Sequence, residues 1–407
     1  MPLPAQTKSN GSKKDATGVA DYRSKSFLIR TDLSPDEAKD LLKRLETMIS
    51  LVEKYFERKL ASPIGMIVVN DLQAWPSEMV KQFEPSTLEV IEKRSGLTIL
   101  DSKKFGAIGQ LFGTKAVIYA TPTWGSPQHE SIHAYCFLTF GRVGPRWYSE
   151  GMAEIGQYWA DKKLGVDLHI SILKYLQAGP PRELIDIVDS DTSSPPSRED
   201  HRWWWCLCHM MTNNPNYAAQ FKSFGQGLMN GKETSFASVF GPVAKELSFE
   251  YQFFLSHIDQ GYRVDLCAWD WKAKAPPCKG GSPFSSKIDA NRGWQPARIS
   301  VEAGQSYDYS ISGTWKTSSD GKAVDANGAN EGAGCLVGVT FDDYKLSEPF
   351  RLGTYGTFTP AQSGALMLRC EDKWNELADN SGKMQVRIKI TGKGNPLPTP
   401  EITTSPN

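Results

Sequence analysis

The chain has 407 residues, 40% of them apolar and 23% charged, which is longer than one hydrophobic core usually serves and so predicts two domains. Its 46 basic residues balance its 46 acidic residues without a long run of either sign, so neither nucleic acid nor an anionic membrane surface is indicated as a partner. No apolar run approaches the roughly 18 residues of a membrane-spanning helix, and residues 1–18 contain no apolar signal-peptide region.

The first part of the chain predicts a small mixed sheet with helices. Residues 1–24 are polar and aperiodic, and they are predicted to form a disordered arm. A strand at SFLIRTDL precedes a helix over residues 34–60, in which Ser34 is the cap and Glu37 follows three residues later. GMIVVN and TKAVIYATP are predicted as further strands. TKAVIYATP is either the edge strand, where an extended peptide could pair, or an internal strand.

The stretch SPQHESIHAYCFLTFGRVGPRWYSEGMAEIGQYW carries the chemistry. His129, Glu130 and His133 form H-E-x-x-H, and on a helix two histidines at i and i+4 project from one face, so both imidazoles can reach one ion. The alternative is an exposed helix that carries two histidines. Cys136 lies near them in sequence and is interpreted as a small buried residue rather than a ligand.

A catalytic zinc ion needs a third protein ligand. Such sites use three protein groups and leave a fourth position for water. Glu150 can supply the third group if the chain turns at residues 141–145 and returns on a second helix. Glu154, four residues further on, would then stand on the same face and could accept the outer N–H of a ligating histidine.

The segment PRWYSEGMAE resembles the W-x-x-E-G-x-A motif of gluzincin metallopeptidases. Residues 25–262 are similar as a whole to the bacterial peptidase MA type families of that clan. The resemblance implies an α+β zincin-like fold with a small mixed sheet, Zn²⁺ held by His129, His133 and Glu150, and Glu130 as general base in peptide hydrolysis. The gap before the third ligand is shorter than in thermolysin-like members, so their substrate class is not carried over.

The rest of this domain is mainly helical. The resembling families place a Tyr or His on a downstream helix as the donor to the oxyanion. In HRWWWCLCHMM the candidate is His201, with His209 as the second choice, and a helix histidine without a role is the alternative for each. The run from Trp203 to Trp205 is interpreted as core.

Beyond the helical region, short β-rich runs alternate with turn residues. They predict an all-β sandwich over residues 263–393, and a Pro- and Thr-rich tail follows at 394–407. The segment LMLRCEDKWNELADNSGKMQVRI resembles the PA-IL type of calcium-dependent galactose-binding lectins. The resemblance implies a galactose-binding-like sandwich, a carbohydrate partner and four Ca²⁺ ligands, which are Asp372, Glu376, Asp379 and Asn380. A sandwich that keeps this turn for folding alone is the alternative.

Four of the seven cysteines lie late in the chain. Their number permits disulfides such as Cys267 with Cys278 and Cys335 with Cys370, although connectivity stays open. Disulfides would indicate an oxidising compartment, and both domains suggest a secreted or periplasmic protein.

The sequence therefore predicts a zinc-dependent endopeptidase that a calcium-dependent carbohydrate-binding module holds near a glycan or a glycosylated peptide or protein substrate. The alternative is a carbohydrate-binding protein whose zincin domain is a scaffold with little or no activity.

Overall fold

The computed structural model describes residues 18–99, 115–123, 125–159, 168, 170–189, 198–279, 281–329 and 332–399. The described residues belong to two compact units. The first unit comprises those within 1–163, 184–212 and 219–239, and the second comprises those within 164–183, 213–218 and 240–407. Among the described residues, no helix combines the length and the apolar character that crossing a membrane requires.

The described residues of the first unit form a five-stranded mixed sheet in the order β1-β2-β3-β5-β4. Its strands are β1 (Ala20–Arg23), β2 (Phe27–Thr31), β3 (Ile64–Val68), β4 (Gly96–Ile99) and β5 (Val117–Ala120). The three central strands are parallel, and β1 and β4 run antiparallel at the two ends. Every residue of β3 and β5 is buried, as expected for parallel strands covered on both faces.

The sheet decides between the two alternatives for TKAVIYATP and corrects one prediction. TKAVIYATP is not the edge strand, because β5 within it pairs with β3 on one side and β4 on the other. The predicted disordered arm of residues 1–24 is too long, since β1 pairs with β2 and Val19 and Ala20 are buried. Residues 1–17 lie outside the described part of the chain.

The helices, in chain order, are α1 (Pro35–Phe56), α2 (Ser77–Val80), α3 (Pro85–Glu92), α4 (Ser126–Phe140), α5 (Arg146–Ile155), α6 (Ile170–Gln177), α7 (Leu184–Val188), α8 (Arg198–Asn213), α9 (Ala218–Met229), α10 (Phe236–Phe240) and α11 (Ala244–Ser256). The predicted cap of α1 is confirmed. The Ser34 side chain accepts a hydrogen bond from the Glu37 N–H, and the Glu37 carboxylate accepts one from the Ser34 N–H. Helix α1 ends at Phe56, and the residue that follows, Glu57, adopts the left-handed conformation.

The second unit contains two antiparallel sheets. Their strands are β6 (Phe284–Asp289), β7 (Gln295–Val301), β8 (Tyr307–Lys316), β9 (Leu336–Asp342), β10 (Lys345–Leu346), β11 (Phe350–Leu352), β12 (Tyr355–Phe358), β13 (Gly364–Cys370) and β14 (Ser381–Ile390). One sheet has the order β10-β9-β13-β7 with β11 paired to β9, and the other has the order β12-β8-β14-β6. Apolar residues that alternate along both sheets, such as Ile299, Trp315 and Leu368, form one buried cluster.

Helix α11 belongs to this second unit together with the β strands. Glu250 on α11 is buried and accepts hydrogen bonds from Trp271 Nε1 at 2.6 Å and from Trp269 N at 3.3 Å. The Phe249 ring lies 5.2 Å from that of Phe341 on β9. The predicted domain boundary at residues 262–263 therefore falls inside a packed region and stays a prediction.

The seven cysteines are buried free thiols. The pairs Cys267 with Cys278 and Cys335 with Cys370 do not form. Cys335 instead donates a hydrogen bond from Sγ to the Asn327 carbonyl oxygen at 2.7 Å. Burial raises the pKa of the Cys370 thiol to about 12.

Candidate metal centre

Helices α4 and α5 form an antiparallel pair around the predicted metal ligands. Helix α4 begins after Gly125, and it ends at Gly141, whose left-handed φ of 74° allows the chain to turn out of the helix. Pro145 then caps the start of α5. The predicted return on a second helix is therefore present, and the two helices pack against each other.

His129, His133 and Glu150 form a group whose ligand atoms all lie within 4.8 Å of one another. The Nε2 atoms of the two histidines are 3.2 Å apart. Glu150 Oε2 lies 3.3 Å from His129 Nε2 and 3.5 Å from His133 Nε2. Ligands bound tetrahedrally at about 2.0–2.1 Å are separated by about 3.3 Å, so these three atoms fit one ion of that kind.

The second nitrogen of each imidazole is held by a neighbour on α5. His129 Nδ1 lies 3.3 Å from Glu154 Oε1, which is the contact predicted for Glu154. His133 Nδ1 lies 3.1 Å from Ser149 Oγ, a partner that sequence reasoning missed although Ser149 directly precedes Glu150. Both rings are thus oriented with Nε2 toward the shared point, as in metal sites where a hydrogen bond fixes the ligand tautomer.

Charges within the group stabilise each other in the metal-free protein. Burial disfavours the charged imidazole of His129, but the carboxylates of Glu150 and Glu154 outweigh burial and raise its pKa well above the usual value. Burial also disfavours the charged carboxylate of Glu150, yet hydrogen bonds from His129, His133 and His201 hold its pKa far below the usual range. A metal ion would therefore replace a proton at this group.

His201 on α8 reaches the same group. Its Nε2 lies 3.3 Å from Glu150 Oε2, and its side chain is 24% exposed, so it can contact both the group and solvent. His209, two turns further along α8, is 4% exposed and stacks on Trp205 at 5.3 Å, so it lies in the core. The structure thus favours His201 over His209 as the histidine beside the metal group. The Trp203 to Trp205 run is buried, as interpreted.

Gly151 explains how α8 comes this close to α5. A Cβ at this position would lie 2.6 Å from Cys208 Sγ and 2.7 Å from the Trp204 carbonyl oxygen. Only glycine leaves room for the α8 backbone here. The glycine that follows Glu150 in the motif is therefore required by the helix packing that brings His201 to Glu150.

Glu130 does not belong to the ligand group and faces the edge strand β4 instead. Thr98 Oγ1 on β4 donates to Glu130 Oε2 at 2.6 Å, and it lies 3.1 Å from the Glu130 carbonyl oxygen. A Cβ at Gly96 would lie 2.5 Å from Glu130 Cγ, so β4 closely approaches this carboxylate. Sequence reasoning missed both Thr98 and Gly96, which lie more than thirty residues before Glu130.

The predicted calcium residues lie between β13 and β14, and their side chains are only partly brought together. Asp372 Oδ2 and Asn380 Oδ1 are buried without a hydrogen-bond donor, and burial raises the pKa of Asp372. The Glu376 carboxylate instead pairs with Lys373 Nζ at 3.0 Å, and Asp379 is exposed. In the part of the chain that the structure describes, these carboxylates do not form a group comparable to that of His129, His133 and Glu150.

No protein-family model matches the chain, and no curated protein matches it in sequence. Among solved structures, one similar chain is titled "EclA N-terminal domain; PllA-like lectin". It is 20% identical, and the match covers 26% of this chain and 95% of that chain with a TM-score of 0.23. The described residues define a mixed α/β protein with antiparallel sheets in its C-terminal part. They also define a group of two histidines and a glutamate that could hold a metal ion.

Proposed function

We propose that this protein is a zinc-dependent peptide hydrolase of the gluzincin type, with a zincin-like domain over residues 25–262. The observation that carries the proposal is the convergence of His129 Nε2, His133 Nε2 and Glu150 Oε2 to within 3.2–3.5 Å of one another. Two imidazoles and one carboxylate are a ligand set that catalytic zinc uses. The ligand side chains are between 14% and 22% exposed, which leaves access for water and a substrate.

Zinc bound by three protein ligands would lower the pKa of a water in the fourth position to about 7 and polarise a substrate carbonyl. Glu130, adjacent to His129 in sequence, is the general base that takes a proton from the attacking water and returns it to the leaving amine. Thr98 holds one oxygen of that carboxylate and leaves the other for the proton. His201 is the proposed donor to the oxyanion, since its Nε2, 3.3 Å from Glu150 Oε2, lies beside the ligand group.

A peptide is the substrate class that the sheet favours. Strand β4 lies at the end of the sheet, and among the described residues it pairs only with β5. That other edge has no strand partner among the described residues, and an extended backbone could add to the sheet there by hydrogen bonding. Because Thr98 on the same strand contacts Glu130, a peptide bound along β4 would run beside the general base.

Replacing Glu130 by glutamine tests this proposal. The Glu130→Gln protein should retain one zinc per chain, because Glu130 is outside the ligand group, and should lose hydrolysis of a peptide library. The matched control is Glu92→Gln, a surface glutamate at the end of α3. Hydrolysis by Glu130→Gln at the wild-type rate would falsify the assignment of the general base.

We also propose that residues 263–393 form a calcium-dependent carbohydrate-binding module for a secreted or periplasmic enzyme. The support is the pair of buried oxygens, Asp372 Oδ2 and Asn380 Oδ1, that have no donor. Buried acceptors without a partner are costly, and a hard cation such as Ca²⁺ would satisfy both. Asp379 and Glu376 lie on the same connection and would complete the set.

The second candidate function is carbohydrate binding with a zincin domain that has little or no activity. The same two buried oxygens favour it, because they do not depend on the histidine group. A glycan array and a peptide library separate the two functions. Calcium-dependent glycan binding that Asp372→Ala abolishes, without cleavage of any peptide, would favour the second function over the first.

A further inference from the structure

A cleft lies within the C-terminal unit, between the segment around residues 266–270 and the turn that joins β6 to β7. Its volume is about 560 Å³, which is within the usual range of small-molecule sites. The residues that matter for its chemistry are Asp270, Lys287, Asp289, Arg292, Trp294 and Arg298. None of them belongs to the histidine group or to the predicted calcium residues.

The cleft has an excess of positive charge in a chain whose net charge is zero. Three cationic side chains line it, and only two acidic ones do. Lys287 and Arg292 have no ion-pair partner among the described residues. Arg298 makes one long contact, from Nη2 to Asp270 Oδ2 at 3.9 Å, between side chains that are 64% and 46% exposed. Exposed pairs of this kind contribute little, so all three cations are available to an anion.

The backbone aims Arg298 into the cleft through an unfavourable conformation. Arg298 has φ of +59°, in the left-handed region that favours glycine. Pro296 on β7 pairs with Met367 on β13, and Ser300 pairs with Ala365. The stretch of β7 between these pairs is longer than the matching stretch of β13, so Arg298 lies in a β-bulge. Bulges re-aim side chains, and backbone strain is retained where the side chain has a use. An arginine at a position that suits glycine points to a use for the guanidinium.

The wall of the cleft is preorganised. Gln295 fixes the turn, because its side chain accepts from Asp289 N at 2.9 Å and donates to the Asp289 carbonyl oxygen at 2.8 Å. The buried Arg369 guanidinium lies 5.5 Å from the centroid of the Trp294 ring and supports the indole. A fixed wall of amide and charged groups, backed by the largely buried Trp294 ring, suits a ligand with hydroxyl groups and an anionic group.

We propose that this cleft binds a monosaccharide or disaccharide that bears a carboxylate or a sulfate, with Arg298 and Arg292 contacting the anion. A planar guanidinium can donate two parallel hydrogen bonds to either oxyanion, so both groups are compatible with the same arginines. The proposal requires neither zinc nor calcium, and it stands whether or not the chain hydrolyses peptides.

Calorimetric titration of the full chain at low ionic strength tests the proposal. EDTA is present throughout, so that neither metal site contributes. The probes are glucuronic acid, glucose 6-sulfate, glucose and inorganic sulfate. We expect at least one acidic sugar to bind saturably, and glucose and free sulfate to bind at least tenfold more weakly than that sugar. Absence of saturable binding by both acidic sugars overturns the proposal, and so does equal binding of glucose or of free sulfate.

The matched variant is Arg298→Gly, since glycine accepts the local backbone without strain and the fold should be kept. We expect it to weaken acidic-sugar binding at least tenfold, whereas Arg387→Ala, an exposed arginine on β14, should leave binding unchanged. Arg292→Gln gives a second measurement with the bulge intact and should also weaken binding. Unchanged affinity in both cleft variants would contradict the assignment.

Discussion

Gly151→Ala tests whether the close contact of α5 with α8 shapes the metal group. The added Cβ would lie 2.6 Å from Cys208 Sγ and 2.7 Å from the Trp204 carbonyl oxygen. Ordinary contacts are about 3.5–4.0 Å, so the helices must separate by about 1 Å. Overpacking of this kind typically costs about 1–3 kcal/mol. Because metal–ligand distances vary by only about 0.2 Å and displaced supporting groups typically cost roughly tenfold to hundredfold in affinity, we expect a loss of zinc affinity in that range.

The assay is competition with a chelator for zinc, together with thermal unfolding of the metal-free and the zinc-loaded protein. Gly241→Ala is the matched control, since a Cβ there meets nothing within 4 Å. The control should bind zinc like the wild type. If Gly151→Ala has wild-type zinc affinity and an unchanged Tm, the reasoning from helix contact to metal geometry is refuted.

Three further predictions concern the surroundings of the metal group. Thr98→Val should lower kcat about tenfold with zinc content unchanged, because it removes a hydrogen bond to the Glu130 carboxylate. Thr98→Ser should have the wild-type kcat. A wild-type kcat in the Thr98→Val protein would contradict this prediction. Glu154→Ala should weaken zinc binding about tenfold or more, since His129 Nδ1 loses its partner. Competition with a chelator measures the affinity, and an affinity equal to that of the wild type would show that Glu154 plays no part. Zinc binding at pH 7 should release a proton, because the raised pKa of His129 keeps its ring protonated in the metal-free protein and zinc binds only the neutral ring. Zinc affinity should therefore rise with pH until the pH exceeds the pKa of His129. Calorimetric titrations in buffers of different ionisation enthalpy measure the release, and buffer-independent heats would argue against it.

The ligand group was predictable from sequence because its geometry is local. The i, i+4 spacing of His129 and His133 fixes a common helix face, and a short turn brings Glu150 back on the next helix. Glu154 follows from the same helical spacing. Each of these relations spans a single helix or one helical hairpin, so periodicity and turn residues were enough.

The partners supplied by tertiary packing were not predictable in the same way. Thr98 reaches Glu130 only because β4 lies beside β5 at the end of the sheet. The residue pattern of a four-residue strand does not predict which strand it pairs with. For the same reason the sequence left open whether TKAVIYATP is an edge strand, and it is β4 that lies at that edge of the sheet. Ser149 was overlooked because a serine inside a helix gives no signal of the histidine it contacts.

Among the C-terminal predictions, those that depend on local pattern succeeded and those that depend on tertiary packing did not. Alternation along β7, β8, β9, β13 and β14 predicted the antiparallel strands, and they are present. The disulfide pairs were only permitted by an even cysteine count, which says nothing about where thiols point. The left-handed Arg298 and its cleft gave no sequence signal, because bulges depend on how two strands pair.

The most direct test of the metal assignment is the metal content of the protein after zinc loading and dialysis against metal-free buffer, measured by elemental mass spectrometry. We predict one zinc per chain for the wild type and for Glu130→Gln, and no stoichiometric zinc for His133→Ala or Glu150→Ala. Wild-type protein without stoichiometric zinc after zinc loading, or full zinc retention by the two ligand variants, would contradict the assignment of His129, His133 and Glu150 as the metal site.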